Sequence, residues 1–327
     1  MVPLIDPFER TVRDLRISVT DRCNLRCTYC MPTDGMAWLP RSELLSFEEI
    51  GRVARVCVER FGFTAIRVTG GEPTVRADLP VLVARLAALG VDLSLTTNGL
   101  TLPLVAAELQ AAGLRRVNIS LDSLRPERFA ELTRRPALGR VLEGIDAALA
   151  AGFDPVKVNC VLMRGVNDDE ILDLAEFGRS RGVTVRFIEF MPLDADGAWT
   201  PQTVVTAEEI LATIGAVHPI EAVAARGSQP AERYRYRDGA GEIGVVASVT
   251  RSFCSSCDRV RLTAEGMFRN CLFAVQETDL RAVLRAGGSD DELAAAIQAD
   301  VGRKWAGHAI GQVTFVRPAR SMSQIGG

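Results

Sequence analysis

Between Leu15 and Phe190 the chain alternates short apolar runs with longer amphipathic stretches. The runs are Leu15–Val19, Ile66–Thr69, Leu93–Thr96, Arg116–Leu121, Val156–Leu162 and Val183–Phe190. They are β-branched, short and bounded by glycine or polar residues, which predicts strands. Between them, apolar positions recur at helical spacing over Ser46–Phe61, Asp78–Leu89, Pro103–Ala112, Leu138–Ala150 and Asn167–Arg181. Ser46 with Glu49 has the form of a capping box, and Gly62, Gly90, Gly113, Gly152 and Gly182 each follow a helical stretch. A series of β–α units implies a parallel sheet with right-handed crossovers, as an open doubly wound sheet or as part of a (β/α) barrel.

After Pro192 the rhythm changes. Thr206–Ile214 predicts one more helix, and Ala224–Pro230 reads as a linker. Tyr234–Tyr236, Gly241–Val246 and Arg259–Thr263 predict short strands, with a turn at Glu265-Gly266. Asp279–Ala286 and Asp290–Ala299 predict helices, and Ser321–Gly327 shows no structural pattern.

The strand pattern has one systematic defect. Strands of a buried parallel sheet run as nearly continuous Val, Ile and Leu. Here Arg16, Arg67, Asn118, Lys157 and Arg186 interrupt five of them. Alternation sets Arg16 with Ser18, Arg67 with Thr69, Asn118 with Ser120 and Lys157 with Asn159 on one face of each strand. An unpaired buried cation costs several kcal/mol. The repeated defect therefore points to a shared polar cavity for an anion, with a polyphosphate as the natural candidate. The alternative places these side chains outward, in salt bridges at helix edges.

The cysteines fall into two triads. Cys23, Cys27 and Cys30 follow the first strand at C-x3-C-x2-C, and Cys254, Cys257 and Cys271 lie at C-x2-C-x13-C. Cys57 and Cys160 stand alone inside apolar patterns and read as core residues. Thiolates suit zinc or an iron–sulfur cluster. A closed zinc site wants four ligands, and the chain offers only His218 and His308 as imidazole donors. A cubane held by three cysteines keeps one iron open for substrate or cofactor. Gly70-Gly71-Glu72-Pro73 ends the second strand, where glycines let backbone approach a ligand closely and where such folds bind ligands.

The chain has 327 residues, a formal net charge of −3 and 47% hydrophobic residues. That supports a large core in one α/β domain or two unequal ones. Without a long basic run, neither nucleic acid nor an anionic membrane is expected as a partner. No apolar stretch reaches a membrane span and no signal peptide is legible, so a cytoplasmic location is expected. In a reducing compartment eight cysteines serve as ligands or free thiols rather than disulfides.

The first triad in Ser18-Val-Thr-Asp-Arg-Cys-Asn-Leu-Arg-Cys-Thr-Tyr-Cys-Met-Pro32, with the Gly-Gly-Glu-Pro segment, resembles the radical S-adenosylmethionine (SAM) superfamily. The second triad, Arg259-Val260-Arg261 and the terminal Gly326-Gly327 extend the resemblance, over essentially the whole chain, to its GTP 3′,8-cyclase family. The resemblance implies a partial, six-stranded (β/α) barrel of incomplete TIM type over residues 1–223. Residues 224–327 would form a smaller region that carries a second cluster and closes the open side. It implies a lyase that uses SAM and two 4Fe–4S clusters. The lyase would cyclise GTP to 3′,8-cyclo-7,8-dihydro-GTP, the first step of molybdenum cofactor biosynthesis. An electron donor and a downstream cyclic pyranopterin monophosphate synthase would be partners, and a monomer and a homodimer are both compatible.

The resemblance assigns Cys23, Cys27 and Cys30 to the SAM-binding cluster and Cys254, Cys257 and Cys271 to the second. Tyr29, Gly71, Ser120 and Met191 match SAM-contacting positions. Arg16, Arg67, Thr97, Lys157, Arg259, Val260 and Arg261 match GTP-contacting positions. Arg186 would lie near the reaction centre, and Gly326-Gly327 would reach into the active site. Ala65 stands where some members carry lysine. Two other readings remain: a radical SAM enzyme of peptide-maturase type with an auxiliary cluster, and a zinc-stabilised binding protein that catalyses nothing.

Overall fold

The computed structural model describes residues 2–223, 226–313 and 315–326. Six parallel strands form its centre: β1 (Asp14–Ser18), β2 (Ala65–Thr69), β3 (Asp92–Thr97), β4 (Arg116–Ser120), β5 (Val156–Leu162) and β6 (Thr184–Glu189). They lie side by side in chain order, with no switch in strand order of the kind that marks a doubly wound sheet. Sequential order is the winding of a barrel. The barrel is partial, because β1 and β6 do not meet.

Helices α1 (Phe47–Phe61), α2 (Leu79–Ala87), α3 (Leu102–Ala111), α4 (Pro126–Thr133), α5 (Leu138–Ala150) and α6 (Ile171–Arg181) connect these strands. The α1 boundary is set as the sequence predicts. The Ser46 Oγ accepts from Glu49 N at 3.1 Å, Glu49 Oε2 accepts from Ser46 N at 2.7 Å, and Gly62 ends the helix at φ 73°. Its Ile50, Val53, Ala54, Cys57 and Phe61 are buried, the one-sided stripe of a helix laid on a sheet. Cys57 and Cys160 are both fully buried core residues. The short helix α4 was not legible; its Pro126 sits at the first helical position, where a proline costs nothing.

After β6 come α7 (Ala207–Val217), β7 (Ile220–Ala222), β8 (Glu232–Tyr236), β9 (Glu242–Val246), β10 (Arg259–Leu262), β11 (Met267–Arg269), β12 (Thr278–Asp279), α8 (Leu280–Arg285), α9 (Asp290–Val301) and α10 (Met322–Ile325). Strand β9 adds in parallel to β6, and β10 adds in parallel to β1. The result is one twelve-stranded sheet in the order β12-β11-β10-β1-β2-β3-β4-β5-β6-β9-β8-β7. The segment expected to lack structure contains α10. There the Ser321 and Gln324 side chains cap one another's backbone, in the manner of a capping box. Among the described residues no helix is long and apolar enough to cross a membrane.

Candidate functional site

Strand register brings the polar defect together. In parallel pairs Arg261 lies beside Arg16, Arg16 beside Arg67, and Arg67 beside Ser94. On the other half Thr96 lies beside Asn118, Asn118 beside Lys157, and Asn159 beside Arg186. Residues paired across a parallel sheet share a face, so these side chains turn inward. A cavity of about 170 Å3 is lined by Arg16, Arg67, Arg186, Arg259 and Arg261.

None of these arginines, nor Lys157, makes an ion pair with a carboxylate among the described residues. Arg186 instead donates to two neutral acceptors, Asn159 Oδ1 at 2.9 Å and Asn118 Oδ1 at 2.5 Å. Arg67 Nε donates to Ser94 Oγ at 3.4 Å. Arg16 Nε and Arg259 Nη2 are buried without any partner. Burial, and more weakly their mutual repulsion, lowers Arg16 to about 9, Arg67 and Arg186 to about 10, and Lys157 to about 8. Enclosed cations with orphaned donors and no paired carboxylate suit a multiply charged anion. The outward, helix-edge alternative is not what the fold adopts.

The first triad occupies the loop after β1. Thr28 N and Arg26 N hydrogen-bond to Leu132 and Thr133 carbonyls, and Cys30 N donates to Cys27 O at 3.0 Å. Cys23 Sγ accepts from Leu25 N at 3.4 Å and from Asn98 Nδ2 at 3.6 Å. Burial raises all three thiols, and Cys23 and Cys30 add to the effect at Cys27. All eight cysteines are free. Three soft donors with no imidazole beside them fit an iron–sulfur cluster with an open iron. Among the described residues, no three His, Cys, Asp or Glu side chains converge on a single-ion position.

The second triad faces the cavity. Cys254 and Cys257 flank one helical turn, and Cys271 follows β11. Burial raises Cys254, but hydrogen bonds from His308 outweigh it and bring the thiol to about 7. Cys257 is also lowered against its burial, chiefly by Arg259 and Lys304. Lys304 is buried and donates from Nζ to Arg259 O and Asn270 O, each at 2.6 Å. Cationic surroundings favour thiolate, the form that binds iron.

Of the SAM-matching positions, Tyr29 lies in the loop of the first triad, and Gly71, Ser120 and Met191 lie at or just past the ends of β2, β4 and β6. Tyr29 Oη donates to Asp122 Oδ2 at 2.6 Å, and burial lifts that carboxyl to about 6. Ser120 closes β4, and Met191, just after β6, lines the cavity. Gly71 is required by a close approach, but to the chain itself: a Cβ there would lie 2.3 Å from Asp21 O and 2.5 Å from Arg22 O.

Two positions expected to touch GTP keep their side chains out of the cavity lining. Thr97 is buried with its hydroxyl donated to Glu72 Oε1 at 2.6 Å; alternation along β3 sends its neighbour Thr96 into the cavity instead. Val260 is fully buried in the apolar core, because the same alternation points only Arg259 and Arg261 inward.

The described end of the tail lies against residues of the site. Arg261 Nη1 donates to Gly326 O, and a Cβ at Gly326 would lie 2.6 Å from Thr69 Cγ2. Met322 lines the cavity while Ser323 Oγ donates to Cys30 O at 3.5 Å, so α10 lies between the cavity and the first triad. Gly327 lies outside the described residues. Sequence reasoning missed Glu72, Asn98, Asp122 and Lys304. Of these, only Glu72 carried a signal, as the acidic member of a glycine-rich strand end.

Two family models match the chain: the radical SAM superfamily over residues 17–178, and Molybdenum Cofactor Synthesis C over residues 183–310. A GTP 3′,8-cyclase of Streptomyces coelicolor is 50% identical over 328 residues, covering 99% of this chain and 96% of its own length. A GTP 3′,8-cyclase of Corynebacterium glutamicum is 49% identical, covering 99% and 89%. Among solved structures, Streptococcus suis SuiB superposes with a TM-score of 0.60 at 16% identity, covering 89% of this chain and 69% of that one. At that identity the likeness concerns the fold alone.

Proposed function

Because the chain belongs to the GTP 3′,8-cyclase family of radical SAM enzymes, we propose that it cyclises GTP to (8S)-3′,8-cyclo-7,8-dihydro-GTP. This is the step that opens molybdenum cofactor biosynthesis. One observation carries the proposal: buried arginines without carboxylate partners surround a cavity that a second thiol triad also faces. A nucleoside triphosphate supplies the missing negative charge, and the triad lies where a purine could meet an iron.

In this reading Cys23, Cys27 and Cys30 hold one 4Fe–4S cluster and Cys254, Cys257 and Cys271 another. When bound, the first supplies the electron that cleaves SAM and so starts radical chemistry. Tyr29, Gly71, Ser120 and Met191 surround SAM at the strand ends. Arg16, Arg67 and Lys157 grip the phosphates, while Arg259 and Arg261 orient the rest of the nucleotide. Thr97 acts through Glu72 rather than by touching GTP, and Val260 through its backbone only. Arg186 sits nearest the reacting sugar, held by two asparagines in a geometry fixed before substrate arrives. Gly326-Gly327 would seal the cavity, so that water is excluded from a reactive carbon centre.

Residues 1–223 act as the radical SAM core and residues 224–327 as the region that carries the second cluster and the tail. An external donor supplies electrons, a cyclic pyranopterin monophosphate synthase takes the product, and the reducing cytoplasm keeps the thiols free. The test is anaerobic turnover of iron-reconstituted protein with SAM, a strong reductant and GTP deuterated at C3′. Deuterium in the released 5′-deoxyadenosine is the expected result. Unlabelled 5′-deoxyadenosine, formed equally fast without GTP, would overturn the choice of substrate.

A further inference from the structure

The chain from Phe315 to Gly326 runs as a strap from the loop after Cys271 to the first triad, with Met322 lining the cavity on the way. The Phe315 ring packs on Phe273, two residues after Cys271, with centroids 6.0 Å apart. Arg317 pairs with the buried Asp194, in the loop that follows Met191, at 3.3 Å. Arg320 grips Glu277 with two nitrogens, Nε to Oε1 at 2.7 Å and Nη2 to Oε2 at 2.8 Å, and its third nitrogen meets Glu265. Glu265 and Glu277 are both largely buried, so this fork is shielded from solvent.

Glu277 has a second partner. Arg269, almost fully buried, also pairs with Glu277 Oε1, and its Nη2 donates to Ala274 O at 2.5 Å and to Leu272 O at 3.3 Å. Those carbonyls belong to the loop that begins at Cys271. One carboxylate thus joins the strap to the loop that holds the last ligand of the second triad. Three residues past Arg320, the strap meets the Cys30 carbonyl of the first triad.

We propose that Arg320 is the positioning residue that docks the tail in the cavity, and that Glu277 ties this docking to the Cys271 loop. Arg320 touches no reacting group. It sets where Gly326 lies, and Glu277 makes that placement depend on an ordered second triad. The inference rests on the cyclase reading only for what the docked tail encloses.

Hydrogen–deuterium exchange on the iron-reconstituted full chain tests it. Arg320→Gln is expected to speed exchange in peptides covering 317–326 about tenfold or more, since charge-assisted hydrogen bonds are lost, while peptides of β10 and β11 stay unchanged. Arg320→Lys, which keeps the charge but not the fork, recovers part of the protection. Glu277→Gln loosens both the strap and residues 272–275, whereas Glu265→Gln loosens the strap alone. SAM cleavage by Arg320→Gln persists while its coupling to cyclised product falls. Wild-type exchange in Arg320→Gln, or an equal rise in β10 and β11, would overturn the docking role. Unchanged exchange over 272–275 in Glu277→Gln would overturn the tie to the triad. If wild-type protein turns over no GTP but Arg320→Gln still frees the strap, the cyclase reading fails and the docking role stands.

Discussion

Replacing Gly71 by alanine would place a methyl carbon 2.3 Å from Asp21 O and 2.5 Å from Arg22 O. Both neighbours are backbone atoms of the loop that leads into Cys23, so no flexible side chain can move aside. Forcing an extra carbon into such a contact costs typically about 1–3 kcal/mol. Separation would also stretch two short backbone hydrogen bonds, Gly71 N to Thr20 O and Glu72 N to Arg22 O, both 2.7 Å. Each is worth about 1 kcal/mol. The sum is roughly 3–5 kcal/mol, which for a chain of this size corresponds to a melting temperature lower by about 4–8 °C. The damage should be local as well as global. Iron bound at the first triad is expected to fall while the second triad keeps its share, read by iron analysis and by the electron paramagnetic resonance signals of the two clusters. Gly139→Ala is the control: it lies in α5 with nothing within 4 Å of the new Cβ, and should be neutral or slightly stabilising. A Gly71→Ala protein with wild-type melting and a full first cluster would refute the reasoning.

Arg67→Ala should weaken GTP binding about tenfold to a hundredfold through loss of charge-assisted contacts, with SAM binding unchanged; equal losses for both ligands would indicate misfolding instead. Lys157, with its pKa lowered to about 8, carries its charge below that pH and loses it above. GTP affinity should therefore fall as pH rises through about 8, and a Lys157→Arg protein should hold its affinity through the same range; parallel profiles would sink the assignment. Glu72→Gln leaves one acceptor oxygen where Thr74 N, Thr74 Oγ1, Thr97 Oγ1 and Asn98 N all donate to a carboxylate. Unfolding in denaturant should register a loss of about 1–3 kcal/mol, and an unshifted midpoint would show that the network matters little.

The core and the cationic wall were legible because both repeat. Period-two alternation carried Arg16, Arg67 and Lys157 onto one face, and the register of the sheet then joined them. The triads were legible from cysteine spacing. What stayed hidden lacks a period. A lone acid such as Asp122, or a lone cation such as Lys304, looks in sequence like any surface charge, and only the fold buries it against a tyrosine or a thiol loop. Thr97 and Val260 each stand one position from a side chain that lines the cavity for a single reason: a motif names a stretch of chain, while a strand turns alternate side chains to opposite faces. The strands β9 and β10 that flank the barrel were visible as strands. Their partners were not, since pairing across such chain distances leaves no local trace. In α10 a single turn of helix rests on tertiary contacts that its composition does not announce.

The pairing of Leu15 with Val260 also bears on how the molecule is made. The strand that starts the sheet gains its outer neighbour only when the last quarter of the chain arrives. Contacts of such long sequence separation are slow to form, because loop-closure entropy is lost before they yield any return. During synthesis the six central strands would emerge with both flanks bare, and β1 and β6 would each present an unpaired row of N–H and C=O groups. The half-made protein is thus a natural client for chaperones. A truncation before β10 should leave an aggregation-prone sheet rather than a smaller working enzyme.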